Sequence, residues 1–186
     1  MLKEELRLHY SELRRALSQE AIDTSSLAIA NQLLHLPIWS LAYYHIFLQI
    51  AGKNEVNTHF ILSILAGKDK NIVVPKIAFG NTFRNYLLTD HTRLKTNKWG
   101  IPEPVEGLEV PEEKIDLVFL PLLAFDKKGH RVGYGRGFYD AFLDKCRGQV
   151  IKIGLSFFEA EEVIDDTNEK DIAMNYCVTP DIIYAF

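Results

Sequence analysis

Apolar positions along the chain alternate between helical and extended spacing. Residues 2–17 read as an amphipathic helix in which Leu2, Leu6, Leu13 and Leu17 form a stripe expected to face the core. Residues 24–35 (TSSLAIANQLLH) predict a second helix, with Thr24 or Asp23 as its cap. Leu41 to Leu48 is an extended, aromatic-rich run, followed by the turn-like AGKNEVNT, a helix over 58–66 and a strand over Ile72 to Ile77. Residues 84–89 predict a short strand. Residues 97–113 hold three of the seven prolines, which marks a structured surface excursion rather than a flexible linker. Ile115 to Leu123 is the clearest buried strand, and Phe138 to Cys146 is the helix that follows it. Val150 to Leu155 predicts another strand, and Ile182 to Tyr184 a last edge strand. Strands alternating with helices point to one α/β domain over 1–186, an open, mostly parallel, Rossmann-like sheet with helices on both faces. Such sheets gather ligands beyond the carboxyl ends of their strands.

Composition narrows the picture. A formal net charge of −4 argues against a general nucleic-acid or membrane-surface binder. The two cysteines, Cys146 and Cys177, stand far apart in no CxxC pattern, which suits a reducing cytoplasm and offers no metal framework. The N-terminus is charged from its third residue, unlike a signal peptide, and no apolar run approaches the roughly 20 residues that span a bilayer. The six histidines are scattered without paired ligand spacing, so zinc is not expected.

Two constellations carry candidate chemistry. In FDKKGHRVGYGRGFYD, Gly133, Gly135 and Gly137 alternate with side chains between Arg131 and Asp140. Glycines at this spacing let backbone N–H groups converge on phosphate oxygens, and a helix starting near Gly137 adds its positive end. The plainer reading is a turn between strand and helix. The segment has neither a Walker motif nor the dinucleotide GxGxxG spacing. The second constellation is Lys3, Arg7 and Arg14, which fall within about 40° on the first helix over about 16 Å of axis. By itself such a stripe is a solvated helix face; beside a phosphate loop it becomes a clamp for a triphosphate.

These residues resemble a family. Lys3-Glu-Glu-Leu-Arg7, Arg14, Leu17-Ser18, Glu55 in KNEVNT, Pro75-Lys76, Trp99-Gly-Ile-Pro-Glu-Pro, Leu120-Pro121, Phe125-Asp126, Gly129 and RVGYGRGFYD are similar, in order, to motifs of the 5-formyltetrahydrofolate cyclo-ligases, also called methenyltetrahydrofolate synthetases. Arg136 stands where the family more often has glycine or lysine. The longer loop before Glu55 leaves Leu48 or Ile50 as the apolar substrate contact.

The resemblance implies ATP-dependent conversion of 5-formyltetrahydrofolate to 5,10-methenyltetrahydrofolate, with release of ADP and phosphate, by a cytoplasmic monomer. It implies that Lys3, Arg7 and Arg14 bind ATP phosphates, and that Arg131, Val132, Gly133, Tyr134, Gly135, Arg136, Gly137, Phe138 and Tyr139 form the ATP loop. Tyr134 to Phe138 also face the folate, with Ile50, Glu55 and Trp99; Arg136 and Tyr139 are the candidate catalytic groups. Asp140 and Asp171 are the candidate Mg²⁺ ligands, although an acidic residue in a helix's first turn is favourable on its own. An exposed turn carboxylate is the structural alternative for Glu55, and simple packing the alternative for Trp99 and Phe138. Competing functions are a sugar-phosphate isomerase or acyl-CoA transferase-like enzyme needing no ATP, and a folate- or nucleotide-binding protein without turnover.

Overall fold

In the computed structural model, which describes residues 1–186, the chain opens with α1 (Lys3–Arg15) and α2 (Gln19–Leu33). Next come β1 (Tyr43–His45), α3 (His59–Gly67), and the antiparallel pair β2 (Asn71–Ala78) and β3 (Thr82–Leu88). Two small hairpins flank the next long strand: β4 (Leu94–Thr96) with β5 (Pro102–Pro104) before β6 (Leu117–Pro121), and β7 (Ala124–Phe125) with β8 (Arg131–Val132) after it. The chain closes with α4 (Phe138–Lys145), β9 (Ile151–Leu155), β10 (Tyr176–Val178) and β11 (Ile183–Ala185).

Seven strands form the central sheet in the order β11-β10-β9-β6-β1-β2-β3. The five inner strands run parallel, and β11 and β3 are antiparallel edges. Period-two alternation sends successive side chains to opposite faces. Tyr44, Phe119 and Leu155 therefore pack with Ile29, Leu33, Ile61 and Leu65 of α2 and α3. Val118, Leu120 and Cys177 pack with Phe142 and Leu143 of α4 on the other face. This is the open, mostly parallel sheet covered on both faces that the sequence predicts. No helix is long and apolar enough to cross a membrane.

Several local expectations change. The second helix starts at Gln19 rather than near Thr24, because the Ser18 hydroxyl accepts the Ala21 N–H at 3.1 Å and caps it. The extended run 41–48 keeps only three residues as strand, since the chain leaves the sheet to carry the turn through Asn54 and Glu55. The surface excursion is the β4–β5 hairpin and its approaches. The buried run 115–123 ends its strand at Pro121 and feeds the β7–β8 hairpin.

The largest correction concerns α1. Its buried residues are Leu6, Tyr10 and Arg14, whereas Leu2 and Leu13 are exposed. The helix docks on the β7–β8 hairpin, where Leu6 and Tyr10 meet Leu123, Ala124, Val132 and Ile164. That rotation turns Arg14 inward and leaves Lys3 and Arg7 bordering open space.

Candidate active site

A cavity of about 620 Å³ opens beside the carboxyl ends of β1, β2 and β6, lined there by Phe47, Leu48, Pro75, Ile77 and Pro121. The glycine segment forms one wall. Buried Asp126 fixes its entrance by accepting the N–H groups of Lys128 and His130 on one carboxylate oxygen and that of Ile164 on the other. Gly135 (φ +85°) and Gly137 (φ +68°) then adopt left-handed backbone, which favours glycine. Gly137 is the N-cap of α4, so the helix begins at the cavity. A Cβ on Gly135 would lie 3.3 Å from the Arg7 guanidinium, and Arg7 Nε donates to the Gly133 carbonyl at 3.0 Å. Absence of side chains here lets α1 lay a cation directly on the loop.

Two acid–base pairs stand on the same cavity. Arg131 donates to Asp140 Oδ1 at 2.7 Å and to the Ile172 carbonyl at 2.6 Å. Lys3 Nζ reaches Asp171 Oδ2 at 2.5 Å, and the same oxygen accepts the Asn168 N–H. Burial opposes ionisation of Asp171, but Lys3, the Asn168 N–H and Arg131 outweigh it and hold the carboxyl below its ordinary value. In both aspartates one oxygen carries all the hydrogen bonds, and Asp140 Oδ2 and Asp171 Oδ1 make none. The chain builds no cluster of three or more metal-type side chains. Mg²⁺, however, needs only one or two carboxylates when phosphate and water complete its shell. Two half-committed carboxylates beside a loop suited to phosphate fit that requirement.

The rest of the lining is polar at one point and aromatic elsewhere. Glu55 is 2% exposed, so it is not a surface turn carboxylate. Its Oε2 accepts the Ile50 N–H at 2.7 Å, and its Oε1 accepts the Tyr134 hydroxyl at 2.9 Å. Burial raises its pKa, partly offset by those two donors and by Arg14 and Lys53. Phe138 stacks on Phe83 with centroids 5.3 Å apart and planes 8° from parallel. Trp99 remains 40% exposed, with the Arg136 guanidinium 5.4 Å and Lys98 Nζ 4.5 Å from its ring centre. Glu103 accepts the Ile77 N–H and the Asn97 side-chain amide, fastening the Trp99 loop to β2. Burial drives the Tyr139 hydroxyl well above its ordinary pKa, with the Glu55 charge adding to the effect, so it stays protonated.

The cavity brings together Lys3, Arg7, Ile50, Glu55, Trp99, Arg131, Asp140, Asp171 and residues 133–139. Both Leu48 and Ile50 line it. Arg14 and Val132 lie outside the lining. Val132 is buried in β8 opposite Ala124, and the Arg14 guanidinium is spent on the Tyr134 hydroxyl (3.1 Å) and the Leu122 carbonyl (2.5 Å). Phe83, Phe47 and Lys53 also line the cavity, and no motif in the sequence marks them. Phe83 stands at the start of β3, one residue before the predicted strand, and only the hairpin with β2 brings it against Phe138.

Comparisons with known proteins agree with this architecture. Residues 1–180 match the 5-formyltetrahydrofolate cyclo-ligase family profile. A probable 5-formyltetrahydrofolate cyclo-ligase of Schizosaccharomyces pombe is 29% identical, covering 96% of this chain and 95% of the relative. The Mus musculus cyclo-ligase is 32% identical over 77% of this chain and 74% of its own length. The solved Aquifex aeolicus 5,10-methenyltetrahydrofolate synthetase superposes with a TM-score of 0.85 at 30% identity, covering all of this chain and 93% of that one. The chain belongs to the 5-formyltetrahydrofolate cyclo-ligase family, an ATP-dependent enzyme family whose reaction makes 5,10-methenyltetrahydrofolate.

Proposed function

We propose that this cavity holds ATP phosphates against the glycine wall and the reduced pterin against Glu55 and the aromatic side, so that one loop, residues 133–139, serves both. The observation that carries the reading is the Tyr134–Glu55 hydrogen bond, which joins the glycine loop directly to the buried carboxylate on the cavity wall.

A formyl amide oxygen is a poor leaving group, so its departure requires activation. In the proposed sequence the formyl oxygen attacks the γ-phosphorus and ADP leaves with the electrons of the broken P–O bond. N10 then attacks the activated formyl carbon and loses its proton. The C–O bond breaks with phosphate as leaving group, and the five-membered methenyl ring remains. Phosphoryl transfer of this kind relies on positioning and charge neutralisation. Arg7, laid on the loop, and Lys3 supply cations to the phosphates, together with the backbone N–H groups of 133–137 and the start of α4. Arg136, exposed at the centre of the loop, supplies a further cation for the transferring group, and Tyr139 offers a proton-bearing hydroxyl that makes no bond within the protein. Glu55 orients the N–H edge of the pterin; Ile50, Trp99 and the Phe83–Phe138 stack hold its flat rings. Asp140 and Asp171 would hold Mg²⁺, which supplies charge neutralisation on the phosphates.

The reading keeps a monomer in a reducing cytoplasm, the setting in which two free cysteines persist. The test is appearance of the methenyl-folate chromophore on mixing protein, 5-formyltetrahydrofolate and Mg²⁺ with and without ATP. Product only with ATP is expected; equal product without ATP would overturn the reading.

A further inference from the structure

Arg14 makes an unusual use of a guanidinium. It is 5% exposed, it lies outside the cavity, and its head donates to the Tyr134 hydroxyl and the Leu122 carbonyl. Its own backbone carbonyl accepts the Asn54 side-chain amide at 3.1 Å, which ties α1 to the residue preceding Glu55. The Tyr134 hydroxyl stands between Arg14 at 3.1 Å and Glu55 Oε1 at 2.9 Å.

The direction of this chain follows from the donor inventory. A guanidinium carries only donors, so the Tyr134 oxygen must accept from Arg14. Its single proton is then committed to Glu55. The second carboxylate oxygen takes the Ile50 N–H. Each Glu55 oxygen is therefore held by one fixed donor, leaving lone-pair capacity for a ligand in the cavity that Glu55 lines. A buried carboxylate stays charged only where such donors compensate its lost hydration.

We infer that Arg14 and Tyr134 form a positioning relay that aims and charges Glu55, so that Arg14 governs folate recognition and not ATP phosphate binding. The inference deepens the reading of Glu55 as the pterin contact and rests on it. Tyr134 transmits the effect because it belongs to the glycine loop, and Arg14 locks it from behind. The groups facing Glu55 are Arg14 from α1, Tyr134 from the loop, Tyr139 from α4 and Lys53 from its own turn.

Steady-state kinetics of Tyr134→Phe, Arg14→Met, the double variant and Glu55→Gln, each against 5-formyltetrahydrofolate and against ATP, test the relay. Tyr134→Phe should raise the folate KM about tenfold or more, the scale of one lost hydrogen bond to a charged group, and leave the ATP KM within about twofold. The acidic limb of the pH profile of kcat/KM for folate should move to higher pH, because Glu55 loses a donor that favours its charged form. Arg14→Met should shift both quantities in the same directions, and the double variant should be no worse than Tyr134→Phe, since serial members of one relay are not additive. Tyr134 is partly exposed, so Tyr134→Phe carries the test if Arg14→Met fails to fold. Equal losses toward ATP and folate, or fully additive losses, would overturn the relay. A raised folate KM in Glu55→Gln with a wild-type value in Tyr134→Phe overturns the relay alone. A wild-type folate KM in Glu55→Gln overturns the relay and the folate role of Glu55 together.

Discussion

Arg131 grips Asp140 at 2.7 Å, and this ion pair joins the strand before the glycine segment to the first turn of the helix after it. The arginine side chain is almost fully buried, and the aspartate faces the cavity. The pair therefore closes the ends of the loop as it presents a carboxylate oxygen outward.

Asp140→Asn should consequently cost more than a lost helix-end charge, because it leaves buried Arg131 short of its anionic partner. About 1–3 kcal/mol of stability is expected, together with a fall in turnover of orders of magnitude that added Mg²⁺ partly restores. Melting temperature and a Mg²⁺ titration of rate on the same preparation check this. Normal turnover at low Mg²⁺ would show that Asp140 serves the loop alone.

Arg7→Ala should weaken ATP binding about tenfold to a hundredfold, as expected for loss of a charge-assisted phosphate contact of roughly 1.5–3 kcal/mol. Gly135→Ala should lower ATP affinity as well, because alanine is strained at φ +85° and its methyl would press on the Arg7 guanidinium. Calorimetric titration with ATP measures both; wild-type affinity in a folded Arg7→Ala protein would make the helix cations mere surface charge.

How far the sequence reaches differs between these elements. The glycine wall was legible because Gly133 to Asp140 are contiguous, and their spacing alone implies a turn leading into a helix. Lys3 and Arg7 were legible as one stripe, but the rotation that buries Arg14 was not, because it depends on α1 docking against the β7–β8 hairpin. Two-residue strands carry no period to detect. Tyr176 to Val178 were likewise missed as a strand, since three residues between Asn175 and the Thr179-Pro180-Asp181 turn are too few to show a period, and only pairing with β9 and β11 defines them. Glu55 was marked by resemblance; its burial follows from Ile50 and Tyr134 closing around it, which no local pattern encodes.

His45 gives the fold a pH dependence. It is fully buried on β1 among Phe83, Tyr139 and Phe142, with Nε2 against Asn85 Oδ1 at 3.1 Å and Nδ1 without a partner. Burial lowers its pKa to about 3, with the Asn85 hydrogen bond acting weakly in the other direction. The unfolded chain, near 6.5, therefore binds a proton that the folded chain refuses. Stability is fully present above about pH 6.5 and is lost as pH falls toward 3. From this group alone the loss between pH 7 and pH 5 should be about 2 kcal/mol. Denaturant unfolding at the two pH values should show a smaller difference in His45→Leu than in the parent, even if the variant is less stable throughout. An unchanged difference would assign the acid sensitivity elsewhere.

In the proposed reaction the formyl oxygen leaves the folate as part of phosphate. The direct measurement uses 5-formyltetrahydrofolate carrying ¹⁸O in its formyl group, with ATP, Mg²⁺ and the protein, followed by mass analysis of the products. The label should appear in inorganic phosphate, one atom for each methenyl-folate formed, and not in ADP. Label released as water, with unlabelled phosphate, would contradict phosphorylation of the formyl oxygen and separate ATP cleavage from ring closure.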